Sequence, residues 1–237
     1  MSATTSSRRN DPEGVRSRLL DGAEALLALR GFWGVTMRDV ALGAGVKLGT
    51  LTYHFPAKTD LFRAVVERRA PDYARLTSEA LDRALAAAGD RPPTTEAIVR
   101  AYVTPALRLS IDGGEGWKNY MKMLGLAMSN RQSDLFLAPI LEQFDPLLAR
   151  IVAAFARIYP GASERSLHLG FFLIEAALIH ILTEAGIVDR QSGGAYRSSD
   201  LETILASAVP FFVAGFDRVM VPTAEGTAAD GSGACDR

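Results

Sequence analysis

The sequence predicts an all-α protein, and three observations carry that prediction. Apolar residues recur every three or four positions over most of the chain, the spacing that gives an α-helix one buried face. No run of Val, Ile and Thr alternates with polar residues between hairpin signals, so a sheet has no candidate strands. Gly- and Pro-rich breaks such as Gly89-Asp90-Arg91-Pro92-Pro93 cut the periodic stretches into helix-sized pieces.

The elements follow in order. The first helix carries Val15, Leu19, Ala23, Leu26 and Leu27 along one side, and Gly31 supplies its stop. Further helices are expected over 37–44, 48–54, 58–87, 94–112, 115–130, 132–158, 163–186 and 199–219, about nine in all. Pro71, Pro105, Pro139, Pro146 and Pro210 fall inside these spans and are expected to start, kink or end a helix locally. The stretch from Gly186 to Ser199, with Gly193-Gly194, reads as a loop. Two domains result, a three-helix head over 12–57 and a helical body over 58–220, with flexible tails over 1–11 and 221–237.

Composition excludes several classes. With 48% hydrophobic and 22% charged residues, the chain can bury an ordinary globular core. Its longest apolar stretch, Leu169 to Leu182, is broken by Glu175 and His180 and is shorter than the ~20 residues of a membrane span. No apolar run of the signal-peptide type stands near residue 1. The single cysteine, Cys235, allows no internal disulfide and suits a reducing cytoplasm. A cytoplasmic protein without a membrane partner is the expectation. The net charge of −1 conceals an asymmetry: residues 1–70 hold 11 Lys and Arg against 7 Asp and Glu, whereas the remainder hold 15 against 20. A basic head on an acidic body suits a polyanionic partner, though a solvated basic face gives the same count.

Residues 36–62, TMRDVALGAGVKLGTLTYHFPAKTDLF, hold the most specific pattern. Thr36 and Asp39 have the spacing of a capping box at a helix start. Met37, Val40 and Ala41 are placed to face inward, and Gly43-Ala44-Gly45 breaks the helix, with Gly45 suited to a left-handed turn. Val46 and Leu51 would plug the angle between two short helices, and Phe55 would close the core. Pro56-Ala57-Lys58 then opens another helix, whose first amides and Lys58 can meet a phosphate.

This segment resembles the DNA-binding domain of the TetR family of repressors over residues 13–68. The resemblance rests on Gly31-Phe32, Thr36-x-Arg38-Asp39-Val40-Ala41, Gly45-Val46, Gly49-Thr50-Leu51 and His54-Phe55-Pro56-x-Lys58-x-x-Leu61. More weakly, the order GWKNYMKMLGLAMSN, PLLARIVAAF, GFFLIEAAL is similar to the fatty-acid-responsive subgroup. The resemblance implies a helix-turn-helix that docks on a double-stranded DNA operator. It assigns Arg38 to a base edge or phosphate, and Lys47, Thr50, Thr52, Tyr53, His54 and Lys58 mainly to phosphates. Thr36 and Gly49 complete the contact surface, and Leu48 either touches a thymine methyl or packs. Two departures from the family stand out, at three positions. Lys47-Leu48 replace its usual Ser or Thr followed by Lys, Arg or Pro, and Thr52 replaces the first tyrosine of its recognition helix, one residue before Tyr53.

In the body, Trp117, Tyr120, Met121, Leu124 and Met128 fall along one helix face, as either ordinary core or the wall of a ligand cavity. The family's pockets lie among the central helices, which implies Trp117, Tyr120, Met121, Leu124, Met128, Phe144, Phe171 and Glu175 as lining of a site for a hydrophobic small molecule. Glu175 and His180 interrupt an apolar run, so each needs a partner at a dimer interface or a ligand. Family members dimerise through their last two long helices, which implies a homodimer through residues 163–219, tested at Phe172 and Phe212. Lys118, Lys122, Arg108 and Arg131 are candidates to hold a carboxylate or the phosphates of an acyl-CoA, which favours an acyl or aromatic acid derivative as ligand.

The reading is a ligand-responsive transcriptional repressor, not an enzyme, that requires no cofactor. The alternatives are a helical carrier of lipids or other hydrophobic ligands, or an unrecognised helical enzyme using Glu175 with His180. The sequence has no nucleophile elbow or phosphate loop, and Asp112-Gly113-Gly114-Glu115-Gly116 lacks the spacing of a dinucleotide fingerprint. His54, His168 and His180 lack zinc-ligand spacing.

Overall fold

A computed structural model describes residues 12–129, 134–183 and 186–221. Ten α-helices and no strand are present among them. Residues 1–11 and 222–237 of the expected tails, with Cys235, and also Arg131 lie outside the described residues, as do the expected helix positions at 130, 132–133 and 184–185.

The head is built from α1 (Pro12–Arg30), α2 (Met37–Gly43) and α3 (Leu48–His54). Val15, Leu19, Ala23 and Leu27 of α1 are buried against Val40 and Ala41 of α2 and Leu51 of α3. Thr36 caps α2: its Oγ1 accepts from the Asp39 amide at 3.2 Å, while the Thr36 amide donates to the Asp39 carboxylate at 2.8 Å. The Thr36 hydroxyl, donating to the Asp39 carboxylate at 2.7 Å, and then the Thr36 amide hold that carboxyl below the usual carboxylate range. Gly45 ends the turn at φ +66°, where a side chain would be strained, and Val46 donates back to the Ala41 carbonyl at 2.9 Å.

The body begins with α4 (Lys58–Ala88), a 31-residue helix that runs out of the head. It continues through α5 (Thr95–Asp112), α6 (Gly114–Ser129), α7 (Asp134–Ile158), α8 (Glu164–Thr183), the short α9 (Ile187–Gln191) and α10 (Leu201–Met220). The loop expected over 186–199 therefore contains one helix, α9, whose five residues are too few to show a period. The internal prolines do not divide their helices. Pro71, Pro146 and Pro210 are exposed, so the carbonyl each leaves unpaired one turn earlier faces water.

Helix α6 is central. It packs on α1 of the head, on α5 and on α8, while α4 is flanked by α5 and α7, and α10 lies on α5 and α8. Gly170 permits the α8–α10 approach, because a Cβ there would press into Phe216 and Met220. Helices α8 and α10 are each long and apolar enough to cross a membrane by length and composition, contrary to the sequence expectation. Only 28% of each apolar window is buried, so both present an apolar outer face. Leu169, Phe172 and Leu173 form it on α8, with Phe211 and Val219 on α10.

Candidate functional site

The head's outer surface comes from α3 and the turn before it. Leu51 and Phe55 are buried, so the rest of α3 turns outward. Lys47, Leu48, Gly49, Thr52 and Tyr53 are exposed, with Tyr53 84% exposed, and Thr50 and His54 are half-buried. Arg38 and Thr36 are exposed on α2 and at its cap. Thr52 donates to the carbonyls of Leu48 and Gly49 at 3.2 Å each, so its hydroxyl is occupied within the helix. The Tyr53 and His54 rings meet edge to face with centroids 5.5 Å apart. Polar groups thus stand on a short helix held by buried Leu51 and Phe55, with the cations Lys47 at its start and Arg38 on α2 beside it.

Lys58 differs from the expectation of a phosphate contact. Its ammonium donates to the Val35 carbonyl at 2.8 Å and lies 4.1 Å from the centre of the Phe32 ring. Partial burial lowers its pKa from the usual lysine value. This side chain ties the start of α4 to the loop between α1 and α2.

A cavity of about 80 Å³ opens in the body among α4, α5, α6, α7 and α8. Met121, Leu124, Met128, Phe144 and Glu175 line it, as expected from sequence. Three other expected residues do not. Trp117 packs at the α1 side of α6, its ring 5.1 Å from the Arg69 guanidinium. Tyr120 is fully buried and donates to the Val66 carbonyl at 2.9 Å. Phe171 fills the space between Tyr102 and Phe155. Trp117 and Phe171 each lie one turn before a lining residue, and Tyr120, next to Met121, turns towards α4 instead.

Sequence reasoning missed Tyr73 and Thr77 on α4, Tyr102 on α5 and Asp145 on α7, all in the cavity wall. Tyr73 and Thr77 are one helical turn apart, a pairing that was available as a signal. Tyr102 donates to a Glu175 carboxylate oxygen at 3.2 Å. Burial raises the Glu175 pKa, the Tyr102 hydrogen bond partly opposes that rise, and the Asp145 charge adds to it. Burial and the same carboxylate push both tyrosine hydroxyls above their usual range. Among the described residues, neither Lys nor Arg lines this cavity.

The basic residues expected at the ligand are elsewhere. Lys118 and Lys122 line a separate groove of about 360 Å³ with Ser110, Ser198 and Ser199. Arg108 is exposed and lines neither space. His180 is exposed on the outer face of α8, away from Glu175. Among the described residues, no three His, Cys, Asp or Glu side chains converge as a metal site.

A helix-turn-helix head joined by one long helix to a cavity-bearing helical body defines a DNA-binding regulator. Residues 19–65 match the model for bacterial regulatory proteins of the tetR family, and residues 100–215 match the tetracyclin repressor-like C-terminal domain. The chain belongs to the TetR family of transcriptional regulators. None of the curated proteins matches it.

Solved structures share the fold. A TetR-family regulator from Bordetella parapertussis superposes with a TM-score of 0.61 at 16% identity, over 90% of this chain and 100% of that one. FadR from Bacillus subtilis, in complex with stearoyl-CoA, gives 0.59 at 16% identity, over 84% and 98%. A TetR-like regulator from Rhodococcus sp. RHA1 gives 0.57 at 15% identity, over 91% and 97%.

Proposed function

We propose that the chain is a homodimeric repressor that reads an operator with α3 and is released from it by a mostly apolar small molecule held in the body cavity. One observation carries the reading: α6 lines the cavity with Met121, Leu124 and Met128 and is fixed at its other end to α1 of the head. The fixing point is Arg69, whose guanidinium binds Glu24 of α1 and covers Trp117 of α6.

The cavity's size suggests how release works. Its open space of about 80 Å³ is below the ~150 Å³ that admits a benzene ring, so a ligand enters only by displacing side chains. Met121 and Met128 are flexible enough to yield, but Gly125 crosses α8 so closely that α6 must move with them. A ligand that prefers the expanded body lowers operator affinity by its differential binding energy. No bond is made or broken, which separates this reading from the enzyme alternative.

Arg38, Lys47, Leu48, Gly49, Thr50, Tyr53 and His54 form the DNA face of this proposal, with Thr36 and Thr52 supporting it. Residues 12–57 act as the head and 58–220 as the body, in a cytoplasmic protein. The apolar outer faces of α8 and α10 suit the interface between two copies, with recognition helices ~34 Å apart. Phe212 is removed from that interface because it is buried within the single chain; its neighbour Phe211 takes the outward position.

An acyl or aromatic acid, the ligand class expected from sequence, finds two carboxylates and no counter-charge in the cavity wall. Leu182 borders both the cavity and the Lys118–Lys122 groove, so a second reading has an acid head in the groove and its tail passing Leu182. The FadR complex with stearoyl-CoA makes that reading worth testing.

The test is a gel shift with the full chain on DNA from upstream of its own coding sequence. Binding with a Kd below about 100 nM, at least ~10³-fold tighter than to unrelated DNA, is expected. Equal affinity for both DNAs would remove the operator from the proposal.

A further inference from the structure

One polar group in the wall of the body cavity has no partner. Thr77 is 1% exposed, lines the cavity, and its Oγ1 makes no hydrogen bond. A buried hydroxyl without a partner is costly to leave unmet and asks for one to arrive.

The surrounding groups say what that partner is. Glu175 presents a carboxylate that accepts one hydrogen bond, from Tyr102, and has further lone pairs to fill. Asp145 stands in the same wall, exposed to solvent, and brings a second negative charge. Tyr73, Tyr102 and Phe144 supply aromatic faces, with the Tyr73 and Phe144 ring centroids 5.3 Å apart. Aromatic rings beside carboxylates attract a cation and offer nothing to an anion.

Accepting the body cavity as the ligand site, we infer that it takes a compact amine: an ammonium group donating to Glu175 and to the Thr77 hydroxyl, with an apolar ring or branched chain against Met121, Leu124 and Met128. A carboxylic acid of the same shape would bring its negative charge to a wall that already holds Asp145 and Glu175. A neutral alcohol would satisfy Thr77 or Glu175 but leave the two carboxylates uncompensated.

The charge change has a pH signature. The groups that face Glu175 from the packed helices are Tyr73 and Thr77 of α4, Tyr102 of α5 and Asp145 of α7; α6 contributes no charged or titratable side chain to the cavity. Burial favours the protonated carboxyl in the free protein, and an ammonium ligand favours the carboxylate. Across the pH window in which Glu175 of the free protein is protonated, amine binding expels that proton and tightens as pH rises.

The experiment is isothermal titration of the full-length protein with 2-phenylethylamine, 2-phenylethanol and 3-phenylpropionate, each followed by operator release. The amine is expected to bind about tenfold tighter than the alcohol, with measurable proton release, and the acid weakest of all. Glu175→Gln should cost the amine about tenfold and leave the alcohol unchanged. Asp145→Asn, at an exposed position, should cost the amine about twofold. The inference is overturned if the acid binds as well as the amine, if 2-phenylethylamine shows no binding at millimolar concentration, or if neither variant discriminates amine from alcohol. The repressor reading fails separately, on a bound compound of any class that leaves the operator complex intact.

Discussion

Arg69 of α4 and Glu24 of α1 form a two-pronged ion pair, Nε to Oε2 at 2.8 Å and Nη2 to Oε1 at 3.3 Å, with the Glu24 side chain only 3% exposed. The pair stands where α1, α4 and α6 meet. Gly116 of α6 lies against it so closely that a Cβ there would collide with the guanidinium.

Arg69→Ala should lower unfolding stability by about 3 kcal/mol, because it strands a buried carboxylate. Burial already raises the Glu24 pKa against the opposing pull of Arg69, and the variant removes that pull. Protonation then relieves part of the cost at low pH, so urea unfolding should show a larger loss at pH 8 than at pH 5. Gly116→Ala should displace the same guanidinium while both Glu24 and Arg69 remain in the sequence. It is expected to keep operator binding within a few-fold but blunt release by ligand, read from titrations of the operator complex. Undiminished release would rule out this junction as the coupling point.

Glu175 gives a second pH prediction. Its folded-state pKa is raised, so the native state binds more protons than the unfolded chain between the ordinary carboxylate value and the raised one. Stability contributed by this group is therefore present at low pH and lost as pH rises through that window. Glu175→Gln keeps an acceptor for Tyr102 and removes the charge. It should melt at a higher temperature than the natural chain at pH 8, and the difference should shrink towards pH 4.5. A difference that grows on acidification would contradict a half-buried carboxylate penalised by desolvation.

Lys58 and Lys47 should separate cleanly in salt titrations of operator binding. Lys58 is committed to the Val35 carbonyl and the Phe32 ring, so Lys58→Met should cost about 1–2 kcal/mol of stability and leave the salt slope unchanged. Lys47 caps α3 without a side-chain hydrogen bond and is exposed, so Lys47→Met should leave stability within about 0.5 kcal/mol. Its slope of log affinity against log salt should fall by about 0.9, one phosphate contact. The opposite assignment of slopes would return Lys58 to the DNA face.

Adjacent phenylalanines on α10 test the interface. Phe211 is 74% exposed and Phe212 only 5%. Phe211→Glu and Phe172→Glu should yield folded monomers in sedimentation, because both act on the outer face of α8 and α10. Phe212→Glu should unfold or precipitate the chain, since it drives a charge into the core. Monomeric natural protein at micromolar concentration would end the dimer proposal.

The sequence by itself determined the all-α class, the head and its turn. Capping by Thr36 and Asp39, the positive φ of Gly45 and the inward stripe of α1 depend on residues within one or two turns of each other. Even Glu175 and His180 were separable in sequence, since five residues turn a helix by about 140° and so place them on different faces. Only the tertiary structure decided where along a helix face the packing opens. Periodicity gives Trp117, Tyr120, Met121, Leu124 and Met128 one side of α6, yet the last three meet a cavity and the first two meet the α1 and α4 side. It also decided which cations are spent inside the protein, as Lys58 is, and which carboxylates share a wall, as Glu175 and Asp145 do. Those outcomes depend on helices far apart in sequence arriving at one place, and a local pattern carries no record of what arrives opposite it.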